Sequence, residues 1–206
     1  MRSDSGNFCA LSAPAVWVSP VSYLEELLQA YRKYMALPWP RSVAPAQRVW
    51  MAVYPPEQER RLRLHLRSFE EATVEAGHPW AQIDITSAFE SWAATNPYFE
   101  PYMKSPELFG SALTGFFEHL VVEVRSQLDE HPSPDGVVAM VGAGAMFGLG
   151  EAVKVSALLN AVSNAVPGRL LVLFPGDAEN NNFRLLDGRD GWNYMAIVIR
   201  PEGTRG

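Results

Sequence analysis

The sequence predicts an α/β protein with an open, mainly parallel, five-stranded sheet flanked by helices. Short runs of β-branched and aromatic residues alternate along the chain with helical segments of about a dozen residues or more, and parallel strands need connections of that kind. These short runs are also mostly continuous in apolar character, which is typical of strands that are covered on both faces. We therefore expect a Rossmann-like or P-loop-like topology, but without a Walker A motif.

Composition places the chain among ordinary globular proteins. Its 206 residues are enough for one domain with its own core, and 48% hydrophobic with 19% charged residues excludes a disordered or fibrous protein. The net charge of −6, from 17 Lys+Arg and 23 Asp+Glu, disfavours general nucleic-acid binding and leaves room only for a local basic stripe. The single cysteine, Cys9, excludes an internal disulfide and predicts a cytoplasmic location.

The domain organisation predicted from the sequence is simple. Residues 1–21 are expected to be an N-terminal arm, either flexible or the product of a miscalled start, and residues 22–206 a single α/β domain. No run reaches the roughly 20 apolar residues of a membrane helix, so no membrane association is expected. Asp4 and Pro14 interrupt the pattern that a signal peptide would need.

The first half of the chain predicts three helices and two strands. Ser22 is placed to cap the first helix, which continues to Met35 because apolar and aromatic residues recur at helical spacing. Pro38 and Pro40 prevent that helix from continuing. The other elements are a strand at 48–54, a helix at 55–76, a strand at 79–85 and a helix from 86 or 87 to 94.

The second half predicts three strands and two helices around two unusual segments. An irregular bridge is expected at 96–105, where aromatic residues and prolines cluster, and a long polar loop at 175–191. The remaining elements are a long helix at 106–129, a strand at 137–141, a helix at 151–165, and strands at 169–174 and 193–199.

A glycine-rich turn at residues 142–150 lies between a strand and a helix, where backbone N–H groups can approach an anion. Gly142, Gly144 and Gly148 are the candidate anion-binding residues. No Lys-Ser/Thr pair follows any of these glycines, so a Walker A loop is excluded. Three alternatives stay open: a structural turn that packs against a neighbour, a non-hydrolytic anion site, and a working nucleotide site.

The polar loop at 175–191 is the second candidate, because loops of that length with buried aromatic neighbours are often functional. One interpretation is a self-capped structural loop whose arginines bridge its aspartates. Another is a catalytic pair formed by Asp187 and Asp190. The third is a surface that binds a partner protein, with the candidate residues Asn181, Asn182, Arg184, Asp187, Arg189, Asp190 and Trp192.

Other chemical templates are incomplete. Four arginines at residues 60–67 are interspersed with glutamates at ion-pair spacing, which favours a solvated helix face over phosphate contacts. The four histidines are scattered without metal-ligand spacing, and no nucleophile motif occurs. The sequence thus predicts no catalytic residues, no metal, no cofactor and no enzymatic activity.

Several segments resemble the BrxB family, a small component of bacterial BREX phage-defence systems. The most specific is the string NNFRLLDGRDGWNY at residues 181–194, and the resemblance extends over residues 23–199. Shorter segments that carry it are LPW at 37–39, QRVW at 47–50, VY at 53–54, ERRL at 59–62, GH at 77–78, VGAG at 141–144 and FPG at 174–176.

The resemblance implies a cellular setting and a set of partner proteins more than a chemical activity. A BrxB-like protein is expected to act in the cytoplasm in antiviral defence, beside a methyltransferase, a large ATPase and a PglZ-type protein with an alkaline-phosphatase fold. The family carries no catalytic residues that can be transferred. Two hypotheses follow: an adaptor or regulatory subunit that binds the PglZ-type component, or a degenerate nucleotide- or nucleic-acid-binding module that uses the turn at 142–150 and the arginine stripe at 60–67. Other BREX proteins are further candidate partners, and the sequence does not predict the oligomeric state.

Overall fold

Strands and helices alternate throughout the structure, a computed structural model that describes residues 22–40, 42–105, 109–179, 181–186, 188 and 191–201. The strands in this part of the chain are β1 (Val49–Tyr54), β2 (Trp80–Asp84), β3 (Val137–Val141), β4 (Arg169–Glu179), β5 (Asn182–Leu185), β6 (Trp192–Asn193) and β7 (Ile197–Ile199). The α-helices are α1 (Tyr23–Met35), α2 (Glu59–Glu75), α3 (Ala88–Thr95), α4 (Phe99–Lys104), α5 (Phe109–Asp129) and α6 (Val155–Val162).

Five strands form an open parallel sheet in the spatial order β2, β3, β4, β1, β7. The predicted fold class is therefore confirmed. The chain leaves β1 toward the far edge at β2, whereas it leaves β4 in the opposite direction toward β7. Neighbouring strands whose connections diverge in this way open a crevice at their carboxyl ends, which is where α/β proteins bind ligands.

Helices cover both faces of the sheet. On one face α1 and α2 bury Leu27, Tyr31 and Phe69 against β-strand residues such as Leu171. On the other face α5 and α6 contribute a second core cluster, which includes Phe116, Leu120, Val124 and Leu159. Strands enclosed on both faces are apolar throughout, as the burial of every residue in β1 and β3 illustrates.

The first helix begins as its sequence predicts. The side chain of Ser22 accepts a hydrogen bond from the amide of Glu25 (3.3 Å), and the Glu25 carboxylate accepts one from the amide of Ser22 (2.9 Å). This capping box satisfies two of the amide groups that a helix start leaves without partners.

Two predictions about irregular segments are wrong. The bridge expected at 96–105 contains α4, because Phe99 packs on Phe89 and Trp92 with ring centroids 5.9 and 6.2 Å apart. The loop expected at 175–191 is largely sheet: β4 continues to Glu179, turns back into β5 and pairs with it antiparallel.

The last predicted strand, at 193–199, is also divided. Its first residue belongs to β6, which pairs with β5, and only Ile197–Ile199 joins the parallel sheet as β7. The predicted arm at 1–21 lies outside the described residues. Of the helices that the structure describes, none has the length and apolar character to cross a membrane.

Candidate functional site

A crevice of about 410 Å³ lies at the carboxyl ends of the central strands. The segments that follow β1, β2 and β3 contribute to its walls together with part of β4, so the crevice depends on the strand order and not on any one segment. Its lining includes Pro56, Glu59, Arg63, Thr86, Gly142 and Pro175.

One arginine organises the polar side of this crevice. The Nε atom of Arg63 donates to Oε1 of Glu59 (2.9 Å), and one of its terminal nitrogens donates to Thr86 Oγ1 (2.6 Å). Its other terminal nitrogen lies 3.4 Å from a carboxylate oxygen of Asp84. Glu59 also accepts from the hydroxyl of Tyr54 at the end of β1. The ionisable groups of the crevice are therefore bonded to one another.

The network shifts the pKa values of its members. Burial and the hydrogen bond to Glu59 raise the pKa of the Tyr54 hydroxyl, which holds its proton at neutral pH. Burial alone would raise the pKa of Asp84, but hydrogen bonds from the side chain and backbone of Thr86 and the charge of Arg63 outweigh it and lower that pKa. A carboxylate fixed as an ion and a phenol fixed as neutral are poorly matched to proton transfer near pH 7.

The glycine-rich turn at 142–150 borders the crevice and is folded upon itself. Gly142 has a φ of +89° and begins a short 3-10 helix, Ala143–Met146. The amides of Ala145 and Phe147 donate to carbonyl oxygens within the same turn, at 2.9 and 3.1 Å. These two amide groups are consequently engaged inside the turn.

Lys154, the cation nearest to the turn in sequence, forms an ion pair with Glu151. Gly144 lies close to the ring of Pro175 in β4, so the turn packs against a neighbouring strand. Anion binding by Gly142, Gly144 and Gly148 stays a prediction.

A second cavity brings the two segments singled out by the sequence into contact. It measures about 420 Å³ and lies between the glycine-rich turn and the β5–β6 extension. Its lining includes Met146, Phe147, Val153, Leu185, Gly188 and Trp192. Phe147, with 48% of its surface exposed, is an unusually accessible aromatic ring beside an apolar cavity. We call this cavity the Phe147–Trp192 groove.

The β5–β6 extension is anchored by an aromatic cluster. Phe183 is fully buried and lies 5.9 Å from Phe174 and 5.1 Å from Trp192, measured between ring centroids. Trp192 in turn meets the ring of Tyr194 edge-on at 5.7 Å. Such contacts hold a polar-surfaced extension in a fixed position on the core.

The predicted partner-binding residues divide into three groups. Asn181 adopts a left-handed backbone with φ of 68° at the β4–β5 turn, and the side chains of Asn182 and Asn193 face each other across β5 and β6. Arg184 is exposed and lies 3.7 Å from the Glu179 carboxylate, and Trp192 lines the groove while packing in the aromatic cluster. The remaining candidates lie outside the described residues: Asp187, Arg189 and Asp190.

The arginine stripe at 60–67 is only partly the solvated face that its sequence predicts. Arg67 forms the expected pair with Glu71, four residues later, at 2.9 Å. Arg63 instead points into the crevice, where it joins Glu59 to Asp84. Within the described residues, no group of three or more His, Cys, Asp and Glu side chains is arranged to hold a metal ion.

The crevice network was missed in the sequence because its residues lie at the ends of different strands. Tyr54 is the last residue of β1 and Asp84 is the last residue of β2, whereas Glu59 and Thr86 follow those two strands. Their common signal is position at a strand's carboxyl end, which becomes specific only once the strand order is known.

The chain was compared with family models, with curated proteins and with solved structures, and none of the three comparisons finds a match.

Proposed function

We propose that this protein is a non-catalytic adaptor or regulatory subunit that binds another protein through the Phe147–Trp192 groove. Following the resemblance to the BrxB family, the proposed setting is a cytoplasmic BREX phage-defence system, and the proposed partner is its PglZ-type component. The observation that carries the proposal is the groove itself, in which an exposed aromatic ring lies beside an apolar cavity.

Protein partners are commonly held by a few large apolar side chains that enter such a cavity, while polar residues surround them. The groove meets this description, because Phe147 and Leu185 form its walls and Arg184 lies on the neighbouring exposed face of β5. The crevice supports the non-catalytic part of the proposal, because its charged groups are already engaged with one another. Arg63 bonds to both Glu59 and Asp84.

The test is co-purification of this chain with a PglZ-type protein of a BREX system. Phe147→Ser removes the exposed ring from the groove, and Tyr98→Ser removes a similarly exposed ring, 67% accessible, from the loop before α4. Arg184→Glu changes the charge next to the groove, and Arg67→Glu makes the same change on the exposed face of α2.

We expect a stoichiometric complex that Phe147→Ser and Arg184→Glu weaken and that the two control variants retain. A thermal-shift screen of nucleotides on the isolated chain accompanies the experiment. No complex, together with stabilisation by ATP or GTP, would overturn the adaptor proposal in favour of the degenerate nucleotide-binding module.

A further inference from the structure

Strand β2 forms one edge of the sheet, and no described strand pairs with its outer side. The carbonyl of Pro79 accepts from the amide of Val137 (2.8 Å), and the amide of Ile85 donates to Val141 (3.0 Å), so both groups face β3. Because successive residues of a strand alternate in direction, the backbone groups of Trp80 and Gln82 point outward from the sheet.

In the part of the chain that the structure describes, this edge lacks the features with which proteins usually prevent strand addition. Its pairing with β3 runs through five consecutive residues, Trp80↔Val137 to Asp84↔Val141, without a bulge. The strand contains neither proline nor lysine, and its only charged side chain, Asp84, is engaged with Arg63 and Thr86. An exposed edge of this kind is a template for pairing with another chain.

A cavity borders each face of the edge strand, and we call the two cavities its grooves. One, of about 590 Å³, lies against α2 and is lined by Leu66, Val74 and Gln82. The other, of about 360 Å³, lies beside the loop that follows α5 and includes Ala81 and Pro132. Side chains of an added strand point alternately to the two faces, so each groove would receive every second side chain.

Charge decides which kind of chain fits. Three glutamates line the groove on the α2 side, but Glu71 pairs with Arg67 (2.9 Å) and Glu75 pairs with Arg32 (2.7 Å). Glu70 is the glutamate of this groove that has no ion-pair partner among the described residues. Glu130 lines the groove on the α5 side. A second copy of this chain would bring glutamates against glutamates, whereas a segment rich in lysine or arginine would be attracted.

We propose that the β2 edge is a docking site for an extended basic segment of a partner protein, which adds a strand to the sheet. Its backbone pairs with Trp80 and Gln82, its basic side chains lie near the glutamates, and its apolar side chains cover Val74. The proposal concerns a surface separate from the Phe147–Trp192 groove and does not depend on the identity of that groove's partner.

The decisive variant is Gln82→Pro. Proline is tolerated at an edge position whose N–H faces solvent, but it removes the donor that an added strand needs. Gln82→Thr keeps that donor and serves as the matched control. A charge variant, Glu70→Lys/Glu130→Lys, alters one glutamate on each side of the edge without touching the backbone.

A random linear peptide library displayed on phage is selected against the full chain, and the affinities of enriched peptides are measured by fluorescence anisotropy. We expect peptides that combine basic and apolar residues, with affinity at least about tenfold weaker for Gln82→Pro and for the charge variant and unchanged for Gln82→Thr. If Gln82→Pro fails to fold by circular dichroism, the charge variant, compared with the wild type and with Gln82→Thr, decides the result.

Three results of the peptide experiment would overturn the proposal. They are the absence of enriched peptides, enriched peptides that are acidic, and peptides that bind the folded variants as tightly as the wild type. Sedimentation that reveals a dimer abolished by Gln82→Pro would also overturn it, because the edge would then be occupied by a second copy.

Discussion

The turn at Gly142 lies directly against the backbone of Thr86, which follows β2. A β-carbon on Gly142 would lie 2.5 Å from both the amide nitrogen and the side-chain oxygen of Thr86. The φ of +89° at Gly142 is itself one that residues with a β-carbon rarely adopt. This close approach joins the carboxyl ends of two neighbouring strands and holds the polar wall of the crevice in place.

We expect Gly142→Ala to destabilise the protein more than Gly148→Ala. Both glycines have positive φ, so each alanine costs about 1 to 2 kcal/mol of backbone strain. Only Gly142 has a neighbour within contact distance, and its displacement adds about 1 to 3 kcal/mol. Urea unfolding of the two variants measures the difference, and equal losses of stability would refute the close contact.

Asp84 should make stability depend on pH in the acid range. The pKa of Asp84 is lower in the folded protein than its ordinary value of 3.8. The charged carboxylate therefore stabilises the fold at pH values above 3.8, and this contribution is lost as the pH falls through the folded-state pKa. We therefore expect Asp84→Asn to be less stable than wild type at pH 7, with a gap that narrows below about pH 4. Denaturant unfolding across this pH range is the measurement. A constant gap would mean that the carboxylate of Asp84 does not carry the effect.

Removal of the Phe183 ring should detach the β5–β6 extension from the core. The ring is fully buried and contacts both Phe174 and Trp192, so Phe183→Ala should cost about 3 to 5 kcal/mol. Its exposed neighbour provides the control, and Arg184→Ala should change stability by about 0.5 kcal/mol or less. Guanidinium unfolding compares the two variants, and a similar loss in both would show that the cluster does not anchor the extension.

The buried hydrogen bond between α1 and α2 should respond unequally to removal of its two partners. The hydroxyl of Thr73 donates to the carbonyl of Phe69 (2.8 Å), so the hydroxyl of Tyr31 must be the donor in the 2.6 Å bond that joins Tyr31 to Thr73. Tyr31→Phe leaves Thr73 with a partner and should cost about 1 kcal/mol.

Thr73→Val, by contrast, leaves the fully buried Tyr31 hydroxyl without an acceptor and should cost about 1 to 3 kcal/mol. The double variant should lose less stability than the sum of the two single variants, which a thermodynamic cycle from urea unfolding determines. If the stability lost by the double variant equals the sum of the two single losses, the hydrogen bond between Tyr31 and Thr73 is contradicted.

The sequence was most informative where local chemistry decides the structure. Ser22 caps the first helix and the apolar run of β3 forms a strand, both at their predicted positions. The structure of polar segments was harder to predict. The continuation of β4 beyond its apolar run, for example, depends on the pairing of Ala178 with Phe183 in the antiparallel β5. Asn181, immediately before β5, is a residue type that turns favour, although only that pairing makes the segment a hairpin.

The candidate sites were predictable as segments but not as an arrangement. The glycine-rich turn and the polar segment each stood out in the sequence, yet the strand order brings Phe147 beside Leu185 and Trp192. Arg63 shows the same limit, since helical spacing places it among solvated charges while the fold directs it to Asp84. Long-range pairing follows from the packing of whole strands, which single residues do not encode.

Amide hydrogen exchange of the chain, alone and mixed with the PglZ-type protein, tests the proposed function most directly. If the Phe147–Trp192 groove holds the partner, exchange should slow at residues 146–155 and 182–193 and stay unchanged around Tyr98. The absence of a complex, or a complex whose protection lies wholly outside those two segments, would contradict the account.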